Sequence, residues 1–316
     1  MVTLKDILKA KENISDVVHQ TPMLTSEQLD EKCGNKLFLK SEHLQKTGSF
    51  KIRGASNKVK QAVKDGATYI TAASSGNHGQ AVAYIANKLG IQATIVVPED
   101  VIASKENAIA AYKSEIVYCG RTSAERLPKA KELAKKREGL FIPPYDDPLI
   151  IAGQGTVGLE IMEQVKDADF VLVPVGGGGL ISGIATAVKE INPKVQVIGV
   201  EPELADDTYQ SLKKGTITSI GPTTTIADGL RSSQPGDMTF PIMQKYVDDL
   251  VLVSEQEIKT ALFFVMERMK QVIEPSGAVT VAAAMFNKLD VQNKRIVCVI
   301  SGGNADLRKL QGLFLE

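Results

Sequence analysis

Four short segments of this 316-residue chain carry side chains that could do chemistry. The first runs Lys46-Thr47-Gly48-Ser49-Phe50-Lys51-Ile52-Arg53-Gly54-Ala55. Lys51 stands at the start of an apolar repeat, Ile52, Ala55, Val59 and Val63, whose spacing predicts a helix with one packed face. A lysine held against apolar surface beside Phe50 loses hydration, and its amine pKa falls. That suits Schiff-base chemistry with an aldehyde cofactor. Most lysines on a first helical turn are simply solvated, so the weight of this reading comes from the other three segments. Gly176-Gly177-Gly178-Gly179 follows an apolar strand and leads into a helix. Bare backbone N–H groups there, with the helix dipole behind them, make an anion site. One glycine would serve a plain turn; four favour a phosphate. Ser74-Ser75-Gly76-Asn77-His78-Gly79-Gln80 is a second strand-loop-helix junction, lined with hydroxyls and an amide. Helix capping by Ser or Asn explains one of these residues, not the cluster; a carboxylate suits the whole. Ser301-Gly302-Gly303-Asn304 follows the last strand, at the strand end where open α/β sheets bind ligands.

A dinucleotide is the main rival for the glycine run, since Glu201 lies about 20 residues on, where a ribose-binding acid would stand. The Gly-x-Gly-x-x-Gly spacing is absent, because the third positions are Ile181 and Ser182. No Gly-Lys-Ser/Thr follows, so a nucleotide P-loop is not supported either. A monophosphate fits better.

The elements that must position these segments alternate. Apolar, β-rich runs at 37–40, 69–73, 93–97, 116–118, 170–175, 195–200, 249–253 and 296–300 predict strands. Most are continuously apolar, as in parallel strands covered on both faces. Helices are predicted at 79–89, 123–136, 155–165, 180–191, 255–270 and 277–287, with a capping box at Ser254-Glu255-Gln256-Glu257. The alternation gives an α/β chain of open, doubly wound architecture. The stretch Ile142-Pro143-Pro144-Tyr145-Asp146-Asp147-Pro148 is the best boundary. It divides a smaller, substrate-side domain at 69–146 from a larger, cofactor-binding one formed by 1–68 and 147–316.

Composition narrows the function classes. With 37 basic and 37 acidic residues the net charge is zero, which argues against a nucleic-acid surface. Cys33, Cys119 and Cys298 lie far apart with no CxxC, unlike a disulfide frame or a zinc site. The first residues carry charges inside any possible signal-peptide core, and no apolar run reaches membrane-spanning length. A cytoplasmic protein without membrane or nucleic-acid partners is the expectation.

Lys51, the Ser74–His78 loop, the glycine run and Ser301 together resemble the fold type II pyridoxal-phosphate enzymes, the tryptophan synthase β-like fold. The resemblance extends through Gln45–Ala55, Ile151-Ala152-Gly153-Gln154-Gly155-Thr156, Thr225-Ile226-Ala227-Asp228-Gly229 and Glu274-Pro275, and within that class it points to the serine racemase and biodegradative threonine dehydratase group. It implies that Lys51 holds pyridoxal 5'-phosphate, with Gly176 to Gly179 and Leu180 on its phosphate. Asn77 would then meet the ring hydroxyl, Phe50 the ring, and Ser301 the pyridine nitrogen. An amino-acid substrate would contact Ser74, Ser75, Asn77, His78, Arg126, Tyr145 and Asp228, and a homodimer is implied.

Within that group the resemblance separates two activities. Lys51 serves one face of the substrate Cα, and Ser75 resembles the serine that serves the other in serine racemases; dedicated threonine dehydratases typically have Ala there. Glu201, Ala205 and Asp207 resemble the racemases' divalent-cation loop, for Mg²⁺, Ca²⁺ or Mn²⁺. Pro143-Pro144-Tyr145, by contrast, looks more like a threonine dehydratase, since animal racemases tend to carry His-Pro-Asn there. Animal racemases also bind ATP as an activator between subunits. The matching positions here are Ser26, Lys46, Thr47, Gln80, Tyr112 and Asn304, although Glu27 and Gln28 depart from that pattern. The reading is therefore a serine racemase with L-serine and L-threonine dehydratase activity. The alternatives are a dehydratase without racemase activity, acting on those substrates or on 3-hydroxyaspartate, and a non-catalytic amino-acid or nucleotide binder; the intact Lys51, Ser75 and Ser301 argue against the last.

Overall fold

The computed structural model describes residues 1–315, and its ten strands sort into two sheets. In chain order they are β1 (Met23–Leu24), β2 (Lys36–Ser41), β3 (Tyr69–Ala73), β4 (Gln92–Val97), β5 (Glu115–Tyr118), β6 (Leu140–Phe141), β7 (Phe170–Pro174), β8 (Gln196–Pro202), β9 (Asp249–Val253) and β10 (Arg295–Ile300). The six-stranded sheet has the order β1-β2-β10-β7-β8-β9, and the four-stranded sheet β5-β4-β3-β6. Every pairing is parallel except β1 with β2. Parallel pairing demands crossovers, which the helices supply on both faces.

Most of the apolar runs are buried because the sheet faces meet separate cores; β5, at the edge of the smaller sheet, has no fully buried residue. Leu172, Ile296, Cys298 and Ile300 pack on one side of the larger sheet with the helix Pro275–Met285. Their neighbours Val171, Val173, Val297 and Val299 pack on the other with the helix Gly179–Ile191. Ile70, Ala72, Ile95 and Val97 build the core of the smaller sheet.

Topology brings the chemical segments together. β10, the last strand, inserts between β2 and β7, with Ile300 opposite Ser41 and Cys298 opposite Leu172. The loop after β7 holds the glycines, the loop after β10 holds Ser301, and β2 leads into the turn before Lys51, so all three open at one sheet edge. The loop after β3 holds Ser74 to Gly76. This is the carboxyl-end crevice expected of an open α/β sheet.

The helix Lys51–Lys64 is amphipathic, burying Ile52, Ala55, Val59 and Ala62. It crosses the helix Pro148–Gln164 at backbone contact. A Cβ on Gly54 would lie 2.8 Å from the Ile150 carbonyl oxygen, and one on Gly153 2.6 Å from Gly54 Cα. Asp147 caps the second helix through Leu149 N and Ile150 N, with Pro148 at its first position. The expected capping box at Ser254 and Glu257 is also present.

Candidate active site

Lys51 opens its helix half-buried, with Nζ donating to the Pro144 carbonyl at 2.7 Å and standing 5.1 Å from the Phe50 ring centroid. Burial drives its amine down to about 8, opposed by the negative charge of Glu274. A useful fraction is therefore neutral, and so nucleophilic, near physiological pH. Phe50 N donates to the Ser301 carbonyl at 3.1 Å, and Ser49 bridges to Gly302, which ties the lysine turn to the end of β10. Ser301 itself is buried, its Oγ 3.4 Å from the Ser276 carbonyl.

The glycine run forms the turn from β7 into the helix Gly179–Ile191, which has no side-chain cap. Gly178 holds φ of +87°, a left-handed conformation that favours glycine. Tyr145 packs close against this loop, since a Cβ on Gly177 would fall 2.4 Å from the Tyr145 ring. The Gly177 carbonyl accepts from Thr239 Oγ1 at 2.8 Å, leaving the N–H groups for a guest. Ser232 joins the site without having been foreseen. Its buried Oγ has no hydrogen-bond partner and sits 3.3 Å from where a Gly176 Cβ would be. An orphaned hydroxyl beside free amides fits a phosphate. Nothing in Arg231-Ser232-Ser233 marks that role locally.

The loop after β3 behaves similarly. Gly76 precedes the helix Asn77–Leu89 and provides no side-chain cap, so the first N–H groups are open to an anion. Gly79 must be glycine, because a Cβ would lie 2.1 Å from the Ser74 carbonyl oxygen. Ser74 Oγ accepts from Gly76 N at 3.2 Å, and Ser75 stands at the bend of the loop. Asn77 Nδ2 donates to Glu274 Oε1 at 2.8 Å, and Asn77 Oδ1 accepts from Asn304 Nδ2 at 2.7 Å. His78 is buried with Nε2 2.9 Å from the Ile142 carbonyl, which can only accept, so Nε2 carries the proton. Burial, reinforced by the Lys51 charge, depresses this imidazole to about 3, so it is neutral.

Glu274 is the second residue given no role in the sequence reading. It is buried against Asn77 and Gly302, and burial together with Asp228 raises it to about 7. Its motif with Pro275 was legible; its position as the carboxyl group beside Lys51 emerges only when the helix Pro275–Met285 packs against β10.

Other expected residues are more dispersed. Asp228 pairs with Lys105 at 2.6 Å, and Asp306 accepts from Ser104 at 2.7 Å, so the helix Ala103–Ala110 is fastened to two segments near the larger sheet. Arg126 lies on the helix Ser123–Lys136, with Nη2 donating to Ser123 at 3.2 Å. Its Nε and Nη1 are buried without hydrogen-bond partners, and no hydrogen bond among the described residues joins it to the Lys51 cluster.

Glu201 and Asp207 are both fully buried near the end of β8, and Ala205 between them is buried too. Glu201 accepts from Thr208 N and Tyr209 N, whereas neither Asp207 oxygen has a partner. Burial and the Asp207 charge push Glu201 well above the usual carboxylate range, and burial pushes Asp207 up to about 7. Among the described residues no three His, Cys, Asp or Glu side chains cluster as a metal site. Two carboxylates and a backbone carbonyl remain as the donors here.

Of the positions matched to a nucleotide, Asn304 Nδ2 donates to the Thr47 carbonyl at 2.7 Å as well as to Asn77. Thr47 has φ of +60° and a buried Oγ1 without a partner. Gln80 is buried and Lys46 half-buried beside Gln45. Ser26 is engaged as the N-cap of the helix Glu27–Cys33, and Tyr112 packs edge-on against Tyr84 with ring centroids 5.3 Å apart. No helix among the described residues is long and apolar enough to cross a membrane.

Comparison with known proteins gives a consistent picture. Residues 14–302 match the family described as pyridoxal-phosphate dependent enzyme. The chain is 45% identical over 311 residues to the L-threonine ammonia-lyase of Thermotoga maritima, covering 98% of this chain and 77% of that protein. It is 46% identical over 314 residues to the serine racemase of Homo sapiens, covering 97% and 92% respectively. The solved structure of maize serine racemase superimposes with a TM-score of 0.95 at 38% identity, over 99% of this chain and 97% of that one.

Proposed function

Because this chain belongs to the pyridoxal-phosphate dependent enzymes and is similar to both racemases and ammonia-lyases among them, we propose that it interconverts L- and D-serine and also dehydrates L-serine and L-threonine. The site residues fit the cofactor. Lys51 would hold its aldehyde, Gly176 to Leu180 and Ser232 its phosphate, Asn77 its ring hydroxyl, Phe50 its ring and Ser301 its ring nitrogen. When bound, pyridoxal phosphate supplies an electron sink for negative charge developing at the substrate Cα.

The protein's own groups do the rest. The open amides at the start of the helix Asn77–Leu89, with Ser74, bind the substrate carboxylate and orient Cα. The Lys51 amine, its pKa lowered by burial, takes a proton from one face of Cα. The Ser75 hydroxyl returns one to the opposite face, which gives D-serine. Loss of the β-hydroxyl instead gives pyruvate from serine, or 2-oxobutanoate from threonine, with ammonia. Ser301 would present a hydroxyl, not a carboxylate, to the ring nitrogen, and a hydroxyl would not hold a proton there. The observation that supports the reading is a hydroxyl residue, Ser75, at the bend of the loop whose Asn77 is hydrogen-bonded to Glu274, the carboxyl group acting on Lys51.

Glu201, Asp207 and the Ala205 carbonyl would hold Mg²⁺ or a similar hard cation. Two unpartnered buried oxygens on Asp207 are costly without one and are its natural ligands with one.

The test is to incubate the protein with L-serine, pyridoxal phosphate and Mg²⁺ and to follow D-serine and pyruvate together. D-serine alongside pyruvate is expected, and Ser75→Ala should cut D-serine formation by at least about 100-fold, the scale of a general acid–base contribution. Racemisation by Ser75→Ala at the parent rate removes the two-base assignment. Pyruvate with no D-serine establishes the second reading, a dehydratase alone, which the dehydratase-like Tyr145, packed against the glycine loop, favours.

A further inference from the structure

We infer that Arg53 and Gln154 are positioning residues for Lys51, together anchoring from outside a helix start that has no side-chain cap. The inference rests on the pyridoxal-phosphate reading above.

Phe50 occupies the cap position of the helix Lys51–Lys64 in a helical conformation and gives no side-chain hydrogen bond. Such a start is prone to fray, because most of its first N–H groups lack partners. Within the turn Arg53 N donates to the Phe50 carbonyl at 3.0 Å, and the remaining ties come from elsewhere in the chain. Gly54 N donates to Gln154 Oε1 at 3.2 Å, where the two helices cross at backbone contact. One position earlier, the fully buried Arg53 guanidinium forks onto two carboxylates. Nε and Nη2 donate to Glu42 at 2.8 and 2.7 Å, and Nη1 and Nη2 donate to Glu160 at 2.6 and 3.0 Å. Nη1 also meets Thr156 Oγ1 at 3.1 Å. Lys40 completes the group, with Nζ donating to Glu160 Oε2 at 2.6 Å and the Thr21 carbonyl at 2.8 Å.

Two cations and two anions make this buried cluster electrically neutral, and every charged end in it has partners. A buried ion cluster of this kind brings little net stability over well-packed apolar side chains. What it does bring is geometry. The planar fork admits one orientation, which a lysine cannot reproduce. Glu42 lies just beyond β2 and Glu160 on the helix Pro148–Gln164. The fork therefore fixes the first turn of the lysine helix against both. Lys51 is on that turn, two residues from Arg53. If the turn loosens, its ammonium gains water, and the desolvation that lowers its amine weakens.

The experiment uses the full chain loaded with pyridoxal phosphate. It measures the pH midpoint for appearance of the near-visible band of the lysine-bound cofactor, together with thermal stability. Arg53→Lys and Gln154→Leu should move the midpoint upward by about one pH unit and weaken cofactor binding about tenfold. Lys40→Met disturbs the same cluster from β2, away from the lysine helix, and should lower the melting temperature while leaving the midpoint at the parent value. If Arg53→Lys does not fold, Gln154→Leu decides alone, since it leaves all four charges in place. A parent midpoint in both Arg53→Lys and Gln154→Leu overturns the inference, as does an equal shift in Lys40→Met. A parent protein with no such band overturns the cofactor reading itself, and the inference with it.

Discussion

Replacing Glu274 by Gln should make the protein's stability less sensitive to a rise in pH between 4.5 and about 7. Burial and the Asp228 carboxylate raise this group from 4.5 to about 7. Its folded-state pKa lies above the unfolded one, so the folded chain holds the proton more tightly. The contribution of this group to stability is therefore fully present below pH 4.5, falls as pH rises through that value, and is lost above about 7. At about 1.36 kcal/mol per pH unit, the full difference is about 3 kcal/mol, of which about 2.5 kcal/mol falls between pH 5 and pH 8. Glutamine keeps an acceptor for Asn77 Nδ2 but buries a new amide donor, at a pH-independent cost of about 1–3 kcal/mol. The variant should therefore be the weaker protein at pH 5 and recover about 2.5 kcal/mol relative to the parent by pH 8. Loss of the attraction that Glu274 exerts on Lys51 acts in the same direction. Urea unfolding followed by circular dichroism, on protein freed of cofactor, measures both points. A parent–variant difference that is the same at the two pH values, within about 0.5 kcal/mol, refutes the assignment of a buried carboxyl titrating near neutrality.

Two further perturbations test the site. Gly177→Ala places a Cβ 2.4 Å from the Tyr145 ring and should weaken pyridoxal-phosphate binding about tenfold, measured by titration; in the double variant with Tyr145→Ala the two losses should be less than additive, and strict additivity would show that the ring is not the obstacle. Asp207→Asn should abolish stabilisation by Mg²⁺, which in the parent reaches about 2.7 kcal/mol when the ion is at 100 times its dissociation constant, so a melting temperature that still rises with Mg²⁺ in the variant places the ion elsewhere.

Much of this architecture was legible because its signals are local. β3 and β9 span the predicted residues, and the other predicted strands differ by one or two at their ends, since continuous apolar runs bounded by Gly, Pro and charge leave little freedom. β1 and β6 were missed because each has two residues and gains its identity from a neighbour, Lys40 opposite Met23 and Thr71 opposite Phe141. The helix Ala103–Ala110 buries only Ile109, so its apolar period is nearly silent. The helix Leu4–Ile14 was within reach, through the capping box that Thr3 and Asp6 form. At the site, the glycine run, Lys51 and the Ser74 loop announce themselves by spacing. Ser232 and Glu274 do not. One is a lone hydroxyl in a polar loop, and the other acquires meaning from a helix that docks beside the lysine only in three dimensions. Arg53 reads as an ordinary surface charge on a helix until folding closes two carboxylates around it.

The Ile142 carbonyl that accepts a hydrogen bond from His78 Nε2 also removes a chemical option. A histidine in a catalytic loop ordinarily brings a charge change near neutrality. Here the tautomer is locked and the ring stays uncharged down to about pH 3, so this loop has a histidine but no histidine switch. Around Lys51 a pH profile of the cofactor-free protein then meets Glu274 and Lys51 near neutrality, at about 7 and about 8. These two groups act on each other, so such a profile reports the pair as a unit. What titrates near neutrality beside this loop is a carboxyl group that burial has made weakly acidic and an amine that burial has made weakly basic.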